Sequence, residues 1–335
     1  MIVNKLFPFF KIQFFIQCTI LGLLGCLCTT NALAQPCDPH CVLITVRRIL
    51  PGSGGGAALA APSFKQSSNV IPFGDTLKIT SPSLPAGAVI EYSKDNGSTW
   101  TTGDQVVIDN KVNIVARVRL NQQLSPLLQG SFTPSYQRML VIGNSIMSHG
   151  PAPDLGWYNF NGMAASAPEK DFVHLLTARL QTLNPTMTVQ LQSGVGIELD
   201  FGKPTYAMDE FDQPLQSFKP DLILIRLGEN VVDGDVSSRN FEGQFRQLLD
   251  RLKQVSTTNG QLVQIVITTT VWDRPLADAA IRKVTAEKAY PLVDLSSMVG
   301  KSQYFASQYA NPGVAAHPND AGMQQISDLI WVKFQ

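Results

Sequence analysis

The chain has no excess of either charge: 26 lysines and arginines stand against 26 aspartates and glutamates, and charged residues are only 16% of the sequence. Without a basic field nothing is available to hold a phosphate backbone, so nucleic acid is not an expected partner. Long apolar runs are also missing. Phe14–Cys28 is largely apolar but only 15 residues long, short of the roughly 20 that cross a membrane, and no stable membrane span is expected. Cysteine is scarce, with five in the chain, three of them at Cys18, Cys26 and Cys28. What is plentiful is apolar side chain, 44% of 335 residues. That supports a sizeable core, argues against disorder, and at this length suits two domains.

Residues 1–34 have the form of a secretory signal peptide: Lys5 and Lys11, then the apolar run, then the small-x-small pattern Ala32-Leu33-Ala34. An exported protein, periplasmic or secreted, is therefore expected, beginning at Gln35. Lipoprotein processing at Cys26, after Leu23-Leu24-Gly25, is the alternative. Removing the leader takes away two lysines and no acids, leaving 24 basic against 26 acidic residues. Cys37 and Cys41 then remain, and an even pair in an exported chain favours a disulfide closing that short loop. A metal site on Cys37, His40 and Cys41 would want a fourth ligand, and none stands at suitable spacing.

The remainder divides into two regions of different period. After a strand-like run at Val42–Ile49 and the flexible Gly52–Gly56 linker, residues 62–133 show short β-branched or alternating stretches at Leu77–Thr80, Val89–Ser93, Val106–Ile108 and Val112–Val118. Asp95-Asn96-Gly97 marks a hairpin turn, because Asn-Gly accepts the positive φ that tight turns require. Asn96-Gly97-Ser98 is also a glycosylation sequon. A small all-β sandwich is expected here. It weakly resembles the immunoglobulin-like sandwiches appended to secreted carbohydrate-active enzymes, and a spacer or a glycan-binding module is implied.

From Pro134 to the end, strand-like runs at Met139–Ile142, Thr188–Leu191, Leu222–Leu227, Val263–Thr269 and Pro291–Leu295 alternate with helical stretches at Glu169–Leu183, Asn240–Val255, Ala277–Glu287 and Asp320–Val332. Strands without in/out alternation, separated by amphipathic helices, predict an α/β fold with three α/β/α layers around a mostly parallel five-stranded sheet. In such sheets ligands sit at the carboxyl ends of the strands.

What stands at those ends is suggestive. Gly143-Asn144-Ser145-Ile146 follows the first strand, where a strand-to-helix turn would expose the serine hydroxyl above the sheet. The Gly-x-Ser-x-Gly elbow is lacking, since Met147 holds the last glycine's place, which disfavours an ordinary α/β-hydrolase. Ser193-Gly194-Val195-Gly196 follows the second strand, and a free N–H there could face an oxyanion. Gly228-Glu229-Asn230 follows the third, offering an amide side chain as a second donor. Near the end, His317-Pro318 precedes a helix that Asn319 or Asp320 can cap, and a histidine so placed can act as general base. The segment Pro151–Ala167, with Trp157, Tyr158 and Phe160, could wall a substrate pocket or form a satellite core.

Taken in order, Gly-Asn-Ser, Gly, Gly-x-Asn and His-Pro over residues 137–335 resemble the four blocks of the SGNH (GDSL-type) hydrolase family. The resemblance implies an exported ester hydrolase acting on small acyl esters, with acylated carbohydrate among the candidate substrates, and no cofactor or metal. Ser145 would be the nucleophile and His317 the base. The oxyanion hole would be formed by the Ser145 N–H, the N–H of Gly194 or of Gly196, and Asn230. Asn144 stands where the family usually has Asp, and Val314 where an Asp usually supports the histidine. The support could then come from a backbone carbonyl, or from Glu229, Asp273 or Asp320. Loss of activity, leaving an esterase-like glycan-binding or adhesion protein, is the alternative that Val314 raises.

Overall fold

The computed structural model describes residues 58–257 and 262–335, all within one compact unit, Ala57–Gln335. The leader, the Cys26 processing site, the Cys37–Cys41 pair and the glycine-rich linker lie outside the described residues. No described helix is long and apolar enough to cross a membrane.

The first part is a two-sheet β-sandwich. Its strands are β1 (Ser63–Phe64), β2 (Val70–Pro72), β3 (Thr76–Thr80), β4 (Val89–Ser93), β5 (Thr101–Thr102), β6 (Gln105–Val107), β7 (Val112–Leu120), β8 (Gln123–Leu124) and β9 (Leu128–Ser135). One sheet runs β1-β3-β6 and the other β2-β9-β7-β4-β5, with β8 beside β7; only β2–β9 is parallel. Alternate residues turn inward, as in β3, where Leu77 and Ile79 are buried between exposed Thr76 and Lys78. They meet Ile90, Ile114, Ala116 and Phe132 of the facing sheet in one core. The expected hairpin joins β4 to β5, with Asn96 at φ 56° and Gly97 at φ 91° in its loop.

Two residues after β9 the chain enters a parallel sheet of β10 (Arg138–Gly143), β11 (Thr188–Ser193), β12 (Leu222–Arg226), β13 (Gln264–Thr268) and β14 (Leu292–Val293) in the order β11-β10-β12-β13-β14. Between and after these strands come α1 (Phe172–Gln181), α2 (Val195–Asp200), α3 (Asp212–Phe218), α4 (Asp233–Ser238), α5 (Phe241–Thr257), α6 (Pro275–Glu287), α7 (Pro312–Ala315) and α8 (Asp320–Trp331). Successive strand residues point to opposite faces, and both faces are covered. Met139, Val141, Leu222 and Leu224 pack with Phe172, Leu176, Ile326 and Ile330 of α1 and α8. Leu140, Ile142, Ile223 and Ile225 pack with Leu215, Phe245, Leu249 and Ile281 of α3, α5 and α6. This is the expected three-layer α/β/α fold.

The strand order places β10 between β11 and β12, so its outgoing connections part in opposite directions and leave a crevice at the carboxyl ends. Register keeps that rim level, since Gly143 pairs with both Ser193 and Arg226. The candidate turns after these three strands thus start at one height.

Candidate active site

Beyond Gly143 the chain forms a single turn at Ser145–Met147, not the helix the sequence suggested; α1 begins only at Phe172. Asn144 closes the turn from below. Its carbonyl accepts from the N–H groups of Met147 (2.9 Å) and Ser148 (3.1 Å), and its Oδ1 accepts from Ile146 N–H at 3.1 Å. Ser145 is left half-buried above the sheet edge.

His317 lies between α7 and α8. Its Nε2 stands 2.7 Å from Ser145 Oγ, and its Nδ1 is 2.7 Å from the carbonyl oxygen of Gly313. A carbonyl only accepts, so Nδ1 carries the proton and Nε2 is free to accept from the serine hydroxyl. Gly313 is held in turn by α7, whose N-cap Asn311 accepts from the N–H groups of Gly313 (2.9 Å) and Val314 (3.2 Å). The Trp272 ring meets the imidazole edge-on at 5.4 Å, while its Nε1 donates to Ala316 O. His317 is only 6% exposed. Burial holds its pKa below the ordinary value, opposed by the Gly313 hydrogen bond.

None of the three carboxylates considered from sequence hydrogen-bonds His317. Asp320 accepts from Ser166 N–H and Oγ, Asp273 is exposed, and Glu229 is occupied by Arg226, Asn144 and Val271. The cap of α8 is Asn319, which accepts from Gly322 N–H. Val314 is fully buried in an apolar cluster with Trp157, Met163, Ala164 and Ala306. A backbone carbonyl occupies the place of the third triad member.

On the donor side the two candidate glycines are placed differently. The Gly194 N–H donates to Gly143 O at 2.8 Å, so it is spent on the sheet edge. Gly194 is needed for another reason: a Cβ there would come within 2.4 Å of Leu227 Cδ2. Gly196 sits in the first turn of α2, where N–H groups lack intrahelical partners, and a Cβ there would come within 2.7 Å of the Glu210 carboxylate. Asn230 follows Gly228, whose φ of +125° and the 2.6 Å between its would-be Cβ and Thr270 Cγ2 exclude a larger residue. Asn230 Nδ2 donates to Glu198 Oε2 at 2.7 Å. Glu198 is 1% exposed, and its Oε1 accepts from Gly228 N–H (2.6 Å), Asn144 Nδ2 (3.1 Å) and Asn230 N–H (3.4 Å). Burial, and then the charge of Glu229, push its pKa up, against these hydrogen bonds. All of these contacts donate, so the surroundings suit the ionised form.

Residues 141–325 match the GDSL-like lipase/acylhydrolase family. The chain belongs to this family. The chain has no match among curated relatives. Solved structures that match include a two-domain esterase active on acetylated mannans, at 18% identity and TM-score 0.40 over 59% of this chain and 48% of that one. A family two carbohydrate esterase from Cellvibrio japonicus matches at 14% identity and TM-score 0.39, over 81% of this chain and 92% of that one. The lipase Lip_vut3 from a goat rumen metagenome matches at 12% and 0.38, over 59% and 97%. The chain spans about half the length of the mannan esterase.

In this member of the GDSL-like family a cleft of about 400 Å³ opens beside the serine, lined among others by Ser145, Ser148, His149, Val195, Leu199 and Asn230. Of the two roles expected of the aromatic segment, the satellite core is taken by Trp157. Trp157 is 1% exposed and donates to His149 O from below, whereas Tyr158 and Phe160 are 68% and 79% exposed. Two participants, Glu198 and Arg226, escaped sequence reading, and the backbone carbonyl considered for His317 had no owner until the structure placed Gly313 there. The first two had a signal, each being a lone charge in an apolar run (Val195-Gly196-Ile197-Glu198-Leu199 and Leu222-Ile223-Leu224-Ile225-Arg226). A backbone carbonyl has none.

Proposed function

We propose that the protein is an exported serine esterase that cleaves small acyl esters, acetyl groups on carbohydrate among them, through an acyl-enzyme on Ser145. One observation carries this: the 2.7 Å contact between Ser145 Oγ and a buried imidazole whose other nitrogen is already committed to Gly313 O. Nε2 takes the serine proton as Oγ attacks the ester carbonyl carbon. The carbonyl π pair moves onto oxygen, where the N–H groups of Ser145 and Gly196 and the second Nδ2 hydrogen of Asn230 receive it. The C–O bond to the alcohol then breaks, and the imidazolium protonates the leaving oxygen. Water, deprotonated by the same nitrogen, attacks the acyl-serine; the acyl C–Oγ bond then breaks, the imidazolium returns its proton to Oγ, and the acid leaves. The exposed rings of Tyr158 and Phe160 suit the apolar faces of sugars, and the leader at residues 1–34 is consistent with an extracellular polymer as substrate.

Hydrolysis of a short-chain aryl ester tests the reading. Wild type is expected to turn over and Ser145→Ala to lose at least about 10³-fold in kcat; equal rates remove Ser145 from the mechanism. Val314 favours the rival reading, a glycan-binding protein with a lost site. Its signature would be retention on insoluble glycan with no turnover of any ester.

A further inference from the structure

Asn230 can serve as an oxyanion donor only if its amide nitrogen, not its oxygen, faces the cleft. Nothing in an asparagine fixes that choice, because the side-chain amide is nearly symmetric in shape and its terminal torsion has two wells. The residue stands in a short turn after β12, two positions beyond a glycine with positive φ, so its backbone gives little orientation either. Glu198 supplies what is missing. A carboxylate accepts and does not donate, so the 2.7 Å contact to its Oε2 admits Nδ2 and rejects Oδ1. Its Oε1 takes the N–H groups of Gly228 (2.6 Å) and Asn230 (3.4 Å), fixing the backbone of the same turn. Through Asn144 Nδ2 (3.1 Å) it is tied as well to the turn that carries Ser145.

The arrangement is costly to fold. Glu198 has no ion-pair partner among the described residues, because Arg226 Nη2 is bound to Glu229 at 2.6 Å, and Glu229 shares Asn144 Nδ2 at 2.9 Å. A buried carboxylate held only by neutral donors is hard to account for as a stabiliser, since a neutral or apolar group would cost less. We propose that Glu198 is the positioning residue of the oxyanion hole, locking Asn230 with its second Nδ2 hydrogen aimed at the reacting carbonyl. The proposal rests on the reading of Asn230 as an oxyanion donor.

Glu198→Gln is the deciding variant. It is nearly isosteric and removes a buried charge, but it sets an NH2 against Asn230 Nδ2, so the asparagine amide must flip and present oxygen to the cleft. With the aryl ester, kcat is expected to fall about 10²-fold or more, the loss seen when one oxyanion donor is removed, with KM changed less than about twofold. In the Asn230→Ala background the same substitution is expected to cost almost nothing further, because the two act as one unit. The Asn230 side-chain NH2 resonances, assigned by their loss in Asn230→Ala, are expected to shift in Glu198→Gln. If Glu198→Gln does not fold, Glu198→Asp, which withdraws the acceptor by one methylene, is expected to show the same split between kcat and KM. Wild-type kcat in the variant, or a full additional loss on top of Asn230→Ala, overturns the proposal. Turnover that survives Ser145→Ala refutes the serine mechanism instead, and the Asn230 resonances then decide the role of Glu198 alone: unmoved signals in Glu198→Gln overturn it.

Discussion

In the proposed mechanism His317 acts as a base because it is buried and its Nε2 is free to accept. Its Nδ1 proton is committed to Gly313 O, and burial lowers its pKa from the usual value near 6.5. The catalytic form is the unprotonated one, so kcat/KM should rise with pH and level off at a midpoint below 6.5, as a pH–rate profile would show. A midpoint above 6.5 would mean that a carboxylate supports the imidazole after all. Asn144 offers a second test at this scale. Its Nδ2 faces both Glu198 and Glu229, so the Asp usual in the family would set a third carboxylate against two. Asn144→Asp is expected to cost about 2–4 kcal/mol at pH 7, measured by urea unfolding. The introduced acid has a raised folded pKa, so the loss should shrink as pH falls through that value and the group takes up a proton. Ser145, His317 and Asn230 were legible in the sequence because each follows a strand end or precedes a capped helix. The choice between Gly194 and Gly196 was not. It depends on where each N–H points, and contacts such as that of Gly194 N–H with Gly143 O leave no mark in the sequence.

Among the elements, α7 decides how the site manages without a third side chain. Its four residues turn Val314 inward and leave the Gly313 carbonyl against the imidazole. Restoring the family's acid should therefore fail. Val314→Asp would bury a carboxylate among Trp157, Met163 and Ala306, costing about 3 kcal/mol or more without raising kcat; a gain in turnover would contradict this. Asn311→Ala, which removes the cap, should cost about 1 kcal/mol in thermal or urea unfolding and lower kcat by loosening Gly313. The long periodic helices were readable, α5, α6 and α8 lying close to their expected ranges. The short ones, α2, α3, α4 and α7, were missed. Each spans two turns or fewer, and Gly196, Pro214, Gly234 and Gly313 break their helical signal. β9 was missed for a related reason: Gly130 and Pro134 interrupt its alternation, yet pairing with β7 and β2 holds it extended.

At the scale of the molecule, the sandwich and the α/β layers belong to one compact unit, and Tyr136 stands where one passes into the other. It follows β9 directly, stacks on Phe73 at 5.2 Å and meets Phe334 of the C-terminal end at 5.6 Å. Tyr136→Ala should cost about 3–5 kcal/mol and split a single calorimetric transition into two; one unshifted transition would contradict this. The larger claim is that four turns, separated by some 170 residues of sequence between Ser145 and His317, make one reactive centre. Labelling with a fluorophosphonate probe, with the modified residue located by peptide mass spectrometry, tests it most directly. Modification is expected at Ser145 in the wild type and is expected to be lost in His317→Ala; a folded wild-type protein left unmodified, or modified at another serine, would contradict a single reactive centre.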